Sequence, residues 1–247
     1  MLRYFLFSSF LIVLGNFAIA QQSNLEKAKL AFEANDFEKS IQLTKQFLKD
    51  HPSHIQATEL LGTSYASLEK WEKSAEVYKE LVTKYPSQAD YHFKYGGSLG
   101  LQAKNASKIK ALLLLDDVKF HLKHATILDE KHVEARWALV QLYMELPGII
   151  GGSASTAKAY AEELKNISPV DGALAFGYIE EYQENWKSAE AFYKEAVQLG
   201  NSTTCYQKLV DIQLKQNKKK EAIATLKKAY AVTSDRKFSD QLDDLIN

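Results

Sequence analysis

Apolar residues recur at helical spacing along nearly the whole chain, in paired stripes separated by short polar turns. In residues 133–145, Leu139 and Tyr143 mark a packing face, while Trp137, Gln141 and Met144 form a second stripe. Tyr65, Trp71 and Tyr78 are long, flat side chains at helical spacing, suited to filling the gap between one helix pair and the next. With only 4 prolines and 11 glycines in 247 residues, the chain has few breakers, so the pattern predicts helices throughout. Pro52 and Pro86 stand 34 residues apart, each where the second helix of a pair should stop. A pair of this length cannot bury both of its faces alone and needs neighbours on either side.

Between those prolines, Gly62 and the small residues Ser74 and Ala75 are expected to face each other, where a bulky side chain would hold the two helices apart. The spacing of Leu61-Gly62, Tyr65, Ser74, Tyr78 and Pro86 follows the pattern W-x2-L-G-x2-Y…A-x3-F…P, residue type by residue type. It resembles a tetratricopeptide repeat. The resemblance covers roughly residues 21–234 and implies an all-α, right-handed solenoid of about six helical hairpins. It also implies binding on a stacked helical surface rather than catalysis.

The first hairpin is expected from about Ser23 to Asp50, with Phe37, Ser40 and Pro52 in the relation of Trp71, Ser74 and Pro86. In the third, Gly96 falls 34 residues after Gly62, but residues 102–115 interrupt the period. Leu112 to Leu115 in that stretch are apolar on every side and are expected to be buried, with the second helix following over 116–128. The fourth has a helix over 133–145, the loop P-G-I-I-G-G-S, and a helix from about Ala154 to Ile167 stopped by Pro169. The fifth carries Gly177, Trp186, Ala189 and Tyr193, and the sixth Tyr206, Leu209, Ala222, Leu226 and Ala229. A last helix from about Asp235 to Ile246, polar on one face, reads as a C-terminal cap. Gly62, Tyr65, Trp71, Tyr78, Gly96, Gly177, Trp186, Ala189 and Tyr193 are thus structural positions of the repeats. The insertion, the A-R-W-A-L-V helix and the glycine-rich loop together also resemble a subtype of bacterial secreted repeat proteins.

Residues 1–20 read as a secretory signal peptide, with Arg3, an apolar run from Tyr4 to Leu14, and an Ala18-Ile19-Ala20 cleavage site. The expected mature chain is one repeat domain over 21–247, periplasmic or secreted, with no membrane span after cleavage. An uncleaved leader holding the chain in a membrane-associated assembly is the alternative. The 31 basic and 31 acidic residues balance, so no basic excess points to nucleic acid. Cys205 is the only cysteine, which excludes an internal disulfide and reads as a small buried hydrophobe.

Candidate chemistry is sparse. The Pro147–Ser153 loop has glycines that can expose N–H groups to an anion, but Ala154-Ser155 follows instead of the Lys-Ser or Lys-Thr of a phosphate loop. Its expected role is a tight turn with Ile149 and Ile150 tucked in. His121 and His124 share a helix face, yet the sequence places no third ligand, so no metal or cofactor is expected. Glu145, Glu181 and Asp211 are candidate carboxylates for a carbohydrate-binding or glycan-processing protein, the second functional reading. In tetratricopeptide repeats the first helix of each hairpin lines the concave groove. The resemblance therefore puts Phe93, Trp137, Gln141, Met144, Tyr178 and Tyr182 on one inner wall, to anchor a peptide or protein segment of unknown identity, unless the leucine-rich insertion folds over them.

Overall fold

The computed structural model describes residues 24–246, and the leader read at residues 1–20 lies outside them. The described residues form thirteen α-helices and one 3-10 turn, with no strand among them, and the chain divides after Leu128 into two compact units. Unit one holds α1 (24–33), α2 (Phe37–Asp50), α3 (Ile55–Ser67), α4 (Trp71–Lys84), α5 (Ala89–Lys104) and α6 (Lys108–Leu128). Unit two holds α7 (Val133–Glu145), α8 (Ala154–Ile167), α9 (Pro169–Tyr182), α10 (Trp186–Gly200), α11 (Thr203–Lys215), α12 (Lys219–Thr233) and α13 (Arg236–Ile246). Each unit is a run of three hairpins in which consecutive helices pack on one another, and α13 closes the second.

Four hairpins turn in the same way. Asn35, Glu69, Glu184 and Asn217 adopt left-handed backbone with φ of 59, 55, 61 and 59°. The next residue then donates back across the turn, Asp36 N–H to Ala31 O at 2.8 Å and Lys70 N–H to Tyr65 O at 2.9 Å. Asn185 to Glu180 and Lys218 to Gln213 repeat the bond at 2.9 Å. The turn thereby satisfies a carbonyl that the end of a helix leaves without a partner. Asparagine tolerates this conformation, whereas glutamate adopts it only against the clash of its Cβ with the backbone.

Inside hairpins two and five the close approach is between a glycine and an aromatic ring. A Cβ on Gly62 would lie 2.8 Å from the ring of Tyr78, and one on Gly177 would lie 2.3 Å from that of Tyr193. Both rings are buried. The expectation that Gly62 faces Ser74 and Ala75 is therefore corrected: the contact falls one turn further along α4, because a flat ring needs the space that a missing Cβ leaves. Ser74 instead points to the next hairpin, Oγ to Oγ of Ser98 at 2.9 Å, as Ser40 does to Ser64 at 3.2 Å. These two buried serine pairs repeat at the 34-residue period.

The third hairpin departs most from expectation. Residues 102–104 finish α5 and residues 108–115 open α6, so the interruption lengthens a single helix rather than preceding a separate one. Only Val118, Leu122 and Ala125 of the 21 residues of α6 are buried. Leu112 and Leu113 are exposed, which overturns the prediction that the leucine run is buried. The physical reason is register: Gly96 lies against Leu122 and Gly100 against Val118, so the start of α6 runs past the end of α5 and finds nothing to pack on.

In unit two the core joins Tyr193 of α10, Tyr206 of α11 and Phe238 of α13, all fully buried. Phe238 meets the Tyr206 ring edge-on with centroids 6.4 Å apart. Leu242 and Leu245 continue that apolar side, so α13 covers the last hairpin with one face and offers a polar one to water. Glu190 is a buried carboxylate bound by Lys194 at 2.7 Å, by Gln216 at 3.0 Å and by Lys218. Burial pushes its carboxyl up, but these bonds outweigh that and hold it at about 2. Trp71 and Trp186 open α4 and α10 half-buried rather than enclosed. The Trp186 ring carries the Lys215 ammonium 5.5 Å from its centroid.

Replacing Glu184 by Gly should raise stability by roughly 1 kcal/mol, because it removes the left-handed penalty without touching the core. Gly97→Ala on α5, where a Cβ meets nothing within 4 Å, should add about 0.5–1 kcal/mol through helix propensity. Urea unfolding midpoints check both, and a loss of stability in either variant would contradict the geometry.

Candidate binding surface

The first helices of unit two, α7, α9 and α11, each contribute side chains to one cleft of about 270 Å³. Trp137 and Gln141 come from α7, Leu174 and Tyr178 from α9, and Thr204 and Lys208 from α11. Trp137 is fixed on both sides: its ring packs on the unit-two core and its Nε1–H donates to Asp171 Oδ1 on α9 at 3.0 Å. Asp171 also accepts from Ser168 Oγ at 2.5 Å, so the carboxylate orienting the indole is itself held. The Tyr178 ring meets Trp137 edge-on at 6.4 Å and Tyr182 at 6.1 Å. Burial first, and then the charge of Glu145, push the Tyr178 phenol well above its usual range, so it stays neutral and donates to Glu145 Oε1 at 3.5 Å. Lys208 lies within electrostatic reach of Glu181, and Glu181 is occupied by Tyr193 Oη at 2.6 Å and Lys215 Nζ at 2.5 Å. The cleft thus has an apolar, aromatic floor with an ammonium, a hydroxyl and an amide at its polar edge.

Residues 25–89 match the family model described as tetratricopeptide repeat. Among solved structures the chain is similar to a thermophilic tetratricopeptide repeat protein of Thermus thermophilus, at 15% identity over 92% of this chain and 98% of that one, with a TM-score of 0.53. The chain has the tetratricopeptide repeat fold. PilF of Pseudomonas aeruginosa gives a TM-score of 0.58 at 13% identity, covering 92% of this chain and 98% of that one. YrrB, described as a tetratricopeptide repeat protein with an unusual peptide-binding site, gives 0.50 at 17% identity over 74% of this chain and 87% of that one. The likeness is one of fold. No curated protein matches the sequence.

Of the wall residues expected from the repeat pattern, Trp137, Gln141 and Tyr178 meet in the cleft, and Tyr182 stands exposed beside Tyr178. Phe93 lies half-buried on α5 of unit one. Met144 is a correction: it is buried. The loop after α7 folds back onto the last turn of that helix, Ser153 N–H to Tyr143 O at 2.9 Å, and the open stripe ends a turn earlier at Gln141. Thr204 and Lys208 escaped the sequence reading because isolated polar residues show no hydrophobic period. The repeat period was the available signal, since Lys208 stands 34 residues after Leu174 and Asp171 stands 34 after Trp137.

The other candidate sites are engaged internally. In the Pro147–Ser153 loop the N–H groups of Ile150, Gly151, Gly152 and Ser153 all donate to nearby carbonyls, so they do not form an anion cradle. Ile149 is 95% exposed, contrary to the expected tucked position, because the short 3-10 turn over Gly148–Ile150 rotates it outward. Glu181 is drawn up by burial, but the bonds from Lys215 and Tyr193 prevail and keep it a carboxylate, the opposite of a general acid. Asp211 accepts from Gln207 Nε2 at 2.7 Å. Cys205 is fully buried.

The histidines form a network that the sequence showed only in part. His54 and His132 cap α3 and α7, each accepting at Nδ1 from the N–H three residues on. His92 of α5 joins His121 and His124 of α6, with Nδ1 of His92 and Nδ1 of His121 2.8 Å apart. The Pro86 carbonyl 3.0 Å from His92 Nε2 can only accept, so Nε2 carries the proton and His92 Nδ1 accepts from His121. Both nitrogens of His92 are thereby used within the hairpin. Among the described residues no group of three or more His, Cys, Asp or Glu is arranged to hold a metal ion.

Burial, followed by the neighbouring His92, lowers His121 to about 4, and burial lowers His92 as well. Both rings therefore stay neutral in the folded chain while the unfolded chain takes up protons first. Their contribution to stability is present above about pH 6.5 and is lost as pH falls from there toward the folded values. Thermal melts should show the midpoint dropping between pH 6.5 and 5, above the window of Glu190, and His121→Gln should flatten that slope. An unchanged slope would sink the assignment.

Proposed function

We propose that the chain is a non-enzymatic scaffold that binds a peptide or protein segment in the cleft of unit two, and that it works outside the cytoplasm after removal of a leader at residues 1–20. The tetratricopeptide repeat fold is one used for protein–protein interaction, which supports the coarse reading. The observation that carries the finer one is that three successive first helices aim side chains into one cleft whose central ring, Trp137, is already locked by Asp171. A rigid aromatic wall loses little conformational freedom when a ligand arrives, so more of its contact energy is expressed as affinity. YrrB is described as having a peptide-binding site, which agrees with this use of the fold. The ring of Tyr178 and the ammonium of Lys208 suit a segment that brings an apolar side chain to the floor and a backbone carbonyl to the edge.

A photo-reactive residue in place of Gln141 should cross-link a protein from the organism's own envelope extract. The same residue in place of Gln198, exposed on α10, should not. Tyr178→Ala should weaken the captured segment by about 2 kcal/mol. Equal cross-linking at both positions would contradict the cleft, and a mature protein whose first residue is not Gln21 would contradict the leader.

A further inference from the structure

The first two turns of α6 form a free-standing tip with its own chemistry. Gly100 lies against Val118 and Gly96 against Leu122, a register that sets Lys104 level with Leu114. Residues 108–113 then project roughly 9 Å beyond the end of α5 at the ordinary helical rise. Ile109 is 74% exposed, Leu113 is 76% exposed and Leu112 is exposed as well. At about 100° per residue these three share one face, with Lys108 and Lys110 on its two edges. Asp116 interrupts the face one turn further on, and exposed Phe120 and Ile127 resume it beyond the tip. No acidic residue occurs between Asp90 and Asp116, whereas Lys94, Lys104, Lys108 and Lys110 do.

We propose that this tip docks on the surface of an anionic lipid bilayer. An interfacial helix lies along the bilayer surface with its apolar face in the headgroup region, and Ile109, Leu112 and Leu113 form such a face. Lysines on both edges of the apolar face can bury their stems and keep their ammonium groups among lipid phosphates. The lysine edges match negative headgroups, and no helix among the described residues is long and apolar enough to cross a membrane, so the tip lies on the bilayer. This attachment is independent of the cleft in unit two.

The test uses the full chain with Leu113→Cys carrying an environment-sensitive fluorophore, since Cys205 is fully buried and escapes labelling. Adding phosphatidylglycerol–phosphatidylcholine vesicles should shift the emission to the blue, and brominated acyl chains should quench it. Phosphatidylcholine vesicles alone should do neither. Lys108→Glu with Lys110→Glu should weaken the response about tenfold or more, and circular dichroism melts of that variant should match the parent because both positions are exposed. The proposal is overturned if the chain binds vesicles while the dye stays in water, which would place attachment elsewhere. It is equally overturned if the shift grows with protein concentration in the absence of lipid, which would make a second copy the occupant.

Discussion

The contact between a glycine on a first helix and a buried tyrosine ring on the second sets the geometry on which the rest depends. Tyr193 lies on Gly177, and its hydroxyl donates to Glu181, one turn further along the same helix as that glycine. Glu181 in turn holds Lys215 of the next hairpin. The ring thus fixes the separation of α9 and α10 and, through one carboxylate, the position of α11. Tyr178 follows Gly177 directly and, about 100° further round the helix, lines the cleft. Hairpin two repeats the device: Tyr78 lies on Gly62 and shares a bond with Thr63 at 2.8 Å, while Glu59 reaches Tyr91 of the next hairpin at 2.6 Å. Burial pushes the Tyr78 phenol up to about 12, so the ring stays neutral at any physiological pH.

The two units solve the same packing problem with different polar ties. Unit one joins successive hairpins through the buried serine pairs Ser40–Ser64 and Ser74–Ser98, beside the charged ties Lys70–Glu38 and Tyr91–Glu59. Ala189 stands at the corresponding place in unit two, where charged groups take over: Trp137 to Asp171, Glu181 to Lys215, and Glu190 to Gln216 and Lys218. Neutral pairs of small side chains need little desolvation, whereas a buried carboxylate such as Glu190 is stable only with all its partners present. The buried carboxylate Glu190, with three partners, sits in the unit that carries the cleft.

Much of this architecture was legible in the sequence because glycine and aromatic positions at a fixed period report directly on close helix approach. The spacing Trp71–Tyr78 and its repeat at Trp186–Tyr193 locate hairpins two and five, which share the glycine–tyrosine contact. Periodicity gives a face but not a depth. That is why the pattern sets Gly62 against Ser74 rather than Tyr78, and why it groups Met144 with Trp137 although the returning loop encloses the end of α7. The leucine run at 112–115 reads as buried when its apolar character is weighed without Lys108 and Lys110 beside it. Thr204 and Lys208 carry no hydrophobic signal, and His92 meets His121 only through the α5–α6 pairing, which spacing within one helix cannot show.

The central claim is that Gly177 is required because Tyr193 occupies the place of its Cβ, and a double-mutant cycle in urea unfolding tests it most directly. Gly177→Ala alone should lower stability by about 1–3 kcal/mol, as overpacking does. In a Tyr193→Leu background, where the ring is gone, the same change should be neutral or gain up to about 1 kcal/mol from helix propensity. If Gly177→Ala has the same effect in both backgrounds to within about 0.5 kcal/mol, the glycine and the ring do not depend on each other and the account fails.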